Sequence, residues 1–256
     1  MNRKIYAAYF LGLMALSACN KESYFDGPDV FQDDFENYSS LNELLLENDT
    51  LWSFTQLTRK NNSVSVDSSK AHFGSKSLHF MAQKSDSEGA SKASIAKQNM
   101  AFWDGETVRL KASYFILGND SLQWLFLMDL EEQTAIGAGP GMRLALVNNQ
   151  LRVEYKFDEK DILQTSSPPL YFPRNEWVDI VWEVKLSQKK KGAVKLWQNG
   201  QLIIDQSNQR TLPKDILYFQ QGTKGMYSSC EIGITANSHE ADTELWVDDI
   251  SFEKVD

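Results

Sequence analysis

Trp177-Val178-Asp179-Ile180-Val181-Trp182-Glu183-Val184-Lys185-Leu186, then Val194-Lys195-Leu196-Trp197-Gln198-Asn199-Gly200, decides the fold of this 256-residue chain. Val178, Ile180, Trp182, Val184 and Leu186 alternate with Asp179, Val181, Glu183 and Lys185, the period of a half-buried strand. Gln188 to Gly192 is a basic turn. Val194 and Leu196 open the next strand, which reverses at Asn199-Gly200 into Leu202-Ile203-Ile204. Asn-Gly between apolar runs is a strong hairpin signal, because both residues tolerate positive φ.

The same grammar extends outward. Asn148-Asn149 joins Leu144 to Val147 with Leu151, Val153, Tyr155 and Phe157 in a second hairpin. Val108, Leu110, Ala112 and Tyr114 alternate in another strand. Leu245-Trp246-Val247 begins a terminal strand that ends at Phe252. Lys84 to Gln98 is rich in Ser and Ala and reads as a loop followed by a strand. A single short helix is expected after Ser40, which with Glu43 forms a capping-box pattern before Leu44-Leu45-Leu46. Many short strands and almost no helix predict an all-β fold, an antiparallel two-sheet sandwich.

Composition bounds the function. The chain carries 35 acidic and 26 basic residues, a formal charge of −9. This balance argues against nucleic acid as a partner, since phosphate binding needs clustered Lys and Arg. His72, His79 and His239 show no zinc-ligand spacing with the two cysteines. Cys230, in an apolar run, reads as a small buried residue.

The N-terminus states a location. Arg3 and Lys4 precede an apolar run, Ile5 to Leu16, of about twelve residues, short of the roughly 20 that a spanning helix needs. Leu16-Ser17-Ala18-Cys19 then resembles a bacterial lipoprotein signal. The organisation expected is a signal peptide over 1–18, a tether over 19–30 that begins at the lipidated Cys19, and one domain over 31–256. Lys21-Glu22 resembles the export signal of surface lipoproteins. The chain is expected to be anchored by lipid to the outer membrane, on its surface or its periplasmic face.

The order of motifs resembles the concanavalin A-like jelly roll of bacterial polysaccharide lyases and laminin-G-like domains. The motifs are Phe31-Gln32-Asp33-Asp34-Phe35-Glu36 with Trp52, Val64-Ser65-Val66-Asp67, Ala71 through Phe80, the central hairpin quoted above, and Leu245-Trp246-Val247-Asp248-Asp249-Ile250. The resemblance implies a groove that binds polysaccharide. Trp103, Trp124 and Trp197 are the aromatic platforms to consider, with Trp182 assigned to the core. Calcium is expected between the first and last strands, held by Glu36 or Asp34 with Asp248 or Asp249.

A uronate lyase must neutralise the substrate carboxylate, remove the C5 proton with Tyr or His, and protonate the leaving O4. In the resembled family, these groups sit on three neighbouring strands. The chain departs from that pattern on each. Ser91 to Lys97 lacks the Arg and Glu. Gln123-Trp124-Leu125 keeps Gln123 but has Leu125 where His is expected. Glu231 to Asn237 has Thr235 in place of Tyr. Tyr218-Phe219-Gln220-Gln221-Gly222 superficially resembles the Tyr motif. Lys92, Lys97, Gln123, Tyr227 and His239 form an alternative catalytic set. The paired carboxylates of a hydrolase are not recognised: Glu131-Glu132 is adjacent, which puts the two on opposite faces of a strand. The leading reading is a lipid-anchored polysaccharide-binding protein. A divergent lyase and a structural or protein-interaction lipoprotein stay open.

Overall fold

The computed structural model describes residues 27–45, 51–120, 122–134, 137–213 and 226–255. Cys19 and Tyr218 lie outside them. In chain order the elements are β1 (Val30–Asp33), α1 (Leu41–Leu44), β2 (Phe54–Leu57), β3 (Ser63–Asp67), β4 (Ser77–Ala82), β5 (Ser91–Lys97), β6 (Phe102–Trp103), β7 (Thr107–Ile116) and β8 (Trp124–Thr134). They continue with β9 (Gly137–Val147), β10 (Gln150–Tyr155), β11 (Trp177–Lys185), β12 (Gly192–Gln198), β13 (Gln201–Gln209), β14 (Met226–Tyr227), β15 (Ser229–Asn237) and β16 (Thr243–Val255).

Two antiparallel sheets form the sandwich. One runs β13-β12-β11-β7-β16-β4-β3, the other β10-β9-β8-β15-β5-β2. The 13-residue β16 pairs with β7 along one edge and with β4, then β1, along the other. The fold is therefore the antiparallel sandwich that the alternation implied, in the jelly-roll form that the family resemblance implied. Both expected hairpins form. Asn148 and Asn149 take φ of 50° and 60°, and Asn199 and Gly200 take 49° and 75°, the left-handed pair that matches strand twist. Residues 27–30, the end of the expected tether, already belong to the domain: β1 starts at Val30, and the Lys254 amide donates to the Asp29 carbonyl at 2.8 Å.

The apolar sides of the strands meet in one core that includes Trp182, Phe80, Tyr114, Ile232 and Cys230. Its lower corner explains the N-terminal motif. Phe31 stands edge-on to Trp52 at 5.1 Å and stacks on Phe252 at 5.9 Å, while the Trp52 indole donates to Asp33 at 2.8 Å. Asn237, on the third strand of the lyase comparison, is a structural knot. Its amide nitrogen lies 3.0–3.1 Å from the carbonyls of Ala82, Gln83 and Ala241, and its oxygen accepts from the Ser238 amide and the Thr243 hydroxyl.

Two irregularities shape the six-stranded sheet. β8 shifts register against β9 between Phe126 and Met128, so Leu127 and Met128 both face the core. A bulge reverses the facing of all residues beyond it. The Leu127 carbonyl there accepts from the Tyr114 hydroxyl at 2.8 Å, across the core from β7. On β15, Gly233 takes φ +107°, and a Cβ built there would lie 2.5 Å from the Phe80 ring. Tyr114→Phe is expected to cost about 1–3 kcal/mol, because it strands a buried carbonyl. Gly233→Ala is expected to cost more than Tyr114→Phe, since it adds φ strain and a clash. Urea unfolding followed by tryptophan fluorescence measures both.

Candidate functional site

The face of the six-stranded sheet turned away from the core gathers a polar row. On β8, Asp129 lies opposite Glu231 of β15 on one side and Arg143 of β9 on the other, and Arg143 lies opposite Glu154 of β10. Residues directly opposite share a face. Glu131 extends the row by one step, and Lys156, just past β10, pairs with Glu131 and lies 3.7 Å from Asp129. The Arg143 Nε is 3.8 Å from Asp129, and its guanidinium sits 4.2 Å from the Phe126 ring centroid. Ser94 donates to Glu231, and the Lys92 ammonium donates to Gln56 at 2.9 Å. Arg152 pairs with Glu154 at 2.5 Å and with Asp161 at 3.2 Å.

Asp129, Glu131 and Glu231 are only 3%, 5% and 3% exposed. Burial, and then the Asp129 charge, raises the Glu231 carboxyl above its ordinary value, with Lys92, Ser94 and Lys156 acting in the opposite sense. These carboxylates have little water to solvate them, so the cations are held in place beside them. At the other end of this face stand Trp124 and Phe126, with ring centroids 4.8 Å apart, and His239, 6.0 Å from Trp124. From Trp124 to Glu131 the strand spans about 24 Å at roughly 3.4 Å per residue.

The expected catalytic set does not assemble as one site. Gln123 and His239 are exposed at the Trp124 end, and the Gln123 backbone N–H donates to the Glu240 carboxylate at 3.0 Å. Lys92 lies on the polar face. Lys97 does not: it is fully buried, donates to the Leu51 carbonyl at 3.0 Å and lies 5.2 Å over the Phe31 ring. Lys97 is five positions beyond Lys92, an odd offset, so one regular strand turns them to opposite faces. Tyr227 is fully buried too, and its hydroxyl donates to the Thr211 carbonyl at 2.7 Å. Burial raises its phenol well above the ordinary value, and Tyr155 and Glu132 add to the shift.

The three platform candidates are dispersed. Trp124 is on the polar face. Trp197 lies on the outer face of the eight-stranded sheet, and Trp103 in the small β6–β14 ribbon. The residues expected to hold calcium have protein partners. Glu36 accepts from the amides of Ser75 and Lys76 at 2.7 and 2.8 Å, while Asp249 pairs with His72 at 2.7 Å and Asp248 accepts from the His72 amide at 2.8 Å. Among the described residues, no three His, Cys, Asp or Glu side chains converge as a metal-holding group. Asp34 lines a cleft with Asp33, Tyr38 and Asp249.

Asp129, Arg143 and Lys156 escaped the sequence reading, which took Glu131 only as half of a rejected hydrolase pair and Glu231 only as the start of a compared strand. Their signal was present: each is a charged residue within or beside an otherwise apolar strand.

This geometry is a jelly-roll β-sandwich with a charged and aromatic outer face on its six-stranded sheet. The chain belongs to the polysaccharide lyase family, whose model matches residues 46–251. Its structure is similar to the endo-β-1,4-glucuronan lyase from the fungus Trichoderma reesei, with TM-score 0.63 and 16% identity over 80% of this chain and 91% of that one. It is also similar to the cellulose induced protein Cip1, with TM-score 0.60 and 17% identity over 86% and 95%. The alginate lyase Aly36B superposes with TM-score 0.60 and 10% identity over 90% and 98%. At these identities, the structural likeness is one of fold. No curated protein matches the chain in sequence.

Lys156→Met is expected to cost about 3–5 kcal/mol at neutral pH, because it leaves buried carboxylates uncompensated. The double variant Lys156→Met/Glu131→Leu should recover part of that loss in urea titrations. A second test concerns Glu132, which is buried with no hydrogen-bond partner for either oxygen among the described residues. Burial raises its carboxyl from 4.5 to about 8. The folded state therefore holds this proton more tightly than the unfolded chain. Its stabilising effect is complete below the unfolded value and is lost as pH rises through about 8. Glu132→Gln is expected to flatten that decline in Tm measured across the same interval.

Proposed function

We propose that this chain is a glycan-binding member of the polysaccharide lyase family that holds uronate-containing polysaccharide on the outer face of its six-stranded sheet. One observation carries the reading: Arg143, Lys156 and Arg152 are already paired with carboxylates and Lys92 with the Gln56 side chain, while the hydroxyls of Tyr114, Tyr155 and Tyr227 are all directed to protein acceptors. His239, exposed beside Trp124, is the base left to the second reading. β-Elimination needs a cation that can engage the substrate carboxylate and a base free to take the C5 proton. Paired cations still present hydrogen-bond donors in fixed positions, which suits binding. Trp124 and Phe126 offer apolar ring faces for sugar C–H groups at the other end. The lipoprotein signal at Cys19 supports an anchor in the outer membrane, where such binding would serve glycan capture.

A lyase is the second reading. Family membership favours it, as does the convergence of Arg143 and Lys156 on Asp129 beside a Glu231 whose raised affinity for its proton suits donation to a leaving oxygen. The test is incubation with glucuronan, alginate and neutral polysaccharides, following absorbance from new double bonds and retention in affinity gels. Binding alone predicts retention without absorbance, weakened at least tenfold by Trp124→Ala or Arg143→Ala. New absorbance on either uronan overturns binding as the whole function and establishes the lyase.

A further inference from the structure

The opposite sheet carries a second feature that is independent of the polar face. His79 on β4, Trp246 on β16, Phe115 on β7 and Trp177 on β11 are successive cross-strand partners. Their ring centroids lie 4.5, 5.7 and 5.8 Å apart in that order. His79, Phe115 and Trp177 lie outside the hydrophobic core, while Trp246 is only 5% exposed and its indole donates to Asp67 at 2.6 Å. An aromatic row on the outer side of a sheet adds nothing to the sandwich interior.

The loop between β3 and β4 prolongs the row outward. His72 lies 5.4 Å from Trp177, and Phe73 lies 4.6 Å from His72 with 70% of its surface exposed. The loop is pinned from below: Asp248 accepts from the amides of His72 and Phe73, and Asp249 holds the His72 ring at 2.7 Å. Phe73 is thus presented by a fixed backbone. Beside it stands Asp179, two residues from Trp177 on the same face of β11. Asp179 accepts from the Ser113 hydroxyl at 2.7 Å, lies 3.5 Å from His72 Nε2, and has a side chain 56% exposed.

We infer that Phe73, Trp177 and Asp179 form a second glycan-binding surface, on the eight-stranded sheet, for a neutral polysaccharide. Sugar rings present apolar C–H faces that stack on aromatic rings, and hydroxyls that donate to a fixed carboxylate. Charge selects the ligand. A polyuronate would meet the Asp179 and Asp249 carboxylates here, and the nearby Lys70 ammonium is already seated 4.3 Å over the Phe115 ring and 4.8 Å over Trp246.

The test is affinity electrophoresis of the purified chain in gels cast with hydroxyethyl cellulose, glucomannan or xyloglucan, with alginate as the anionic comparison. Retention by at least one neutral polysaccharide is expected. It should weaken at least fivefold in Phe73→Ala and in Asp179→Ala, and should persist in Arg143→Ala. Alginate mobility should be the same in Phe73→Ala as in the parent. Phe73 is an exposed loop residue, so its variant folds even where Trp177→Ala does not. Absence of retention by all three neutral polysaccharides overturns the inference, as does retention that Phe73→Ala and Asp179→Ala leave unchanged. Loss of neutral binding in Arg143→Ala with no loss in Phe73→Ala overturns it too, and assigns that binding to the six-stranded sheet.

Discussion

The bulge at Leu127 and Met128 is the constraint on which the charged and aromatic face depends. An unbroken strand would put Trp124 and Phe126 on one side and Asp129 and Glu131 on the other. One extra residue resets the phase, so the aromatic pair and the carboxylate pair look the same way. The bulge is secured from the far sheet by the Tyr114 hydroxyl, which reaches through the core to the Leu127 carbonyl. This phenol is a brace and not a reagent.

Buried charge gives the face its rigidity. Three carboxylates on one patch of sheet repel one another, and Lys156, Arg143 and the Ser94 hydroxyl make the arrangement tolerable. Pairs of this kind contribute little net stability relative to apolar replacements, yet removing one partner is costly. They fix donors and acceptors in place at the expense of freedom. A face built this way keeps its cations beside its own carboxylates.

The two sheets divide the surface chemistry. The six-stranded sheet carries cations among carboxylates and ends in Trp124. The eight-stranded sheet carries an aromatic row crossed by a pinned loop, with carboxylates beside it. One sandwich has two outer faces, and strand alternation lets each be specified without disturbing the shared core.

Alternation and turn chemistry made the fold legible in the sequence. The Asn199-Gly200 and Asn148-Asn149 turns, the strand from Trp177 and the terminal strand through Trp246 all stand where the period of two places them. The three strands compared with lyases, β5, β8 and β15, are indeed neighbours in one sheet. The site was less legible, because a facing rule applied by type of residue fails at odd spacings and at bulges. Lys97 was grouped with Lys92 although their spacing turns it into the core, and Tyr227 was grouped by chemistry although its strand is buried. Asp129, Arg143 and Lys156 meet only through pairing between β8, β9 and the end of β10, and no linear pattern encodes that meeting. Local periodicity determined which strands this chain makes. Register, bulges and the packing of one sheet on the other decided which side chains share a face, since those depend on contacts between residues far apart in the sequence.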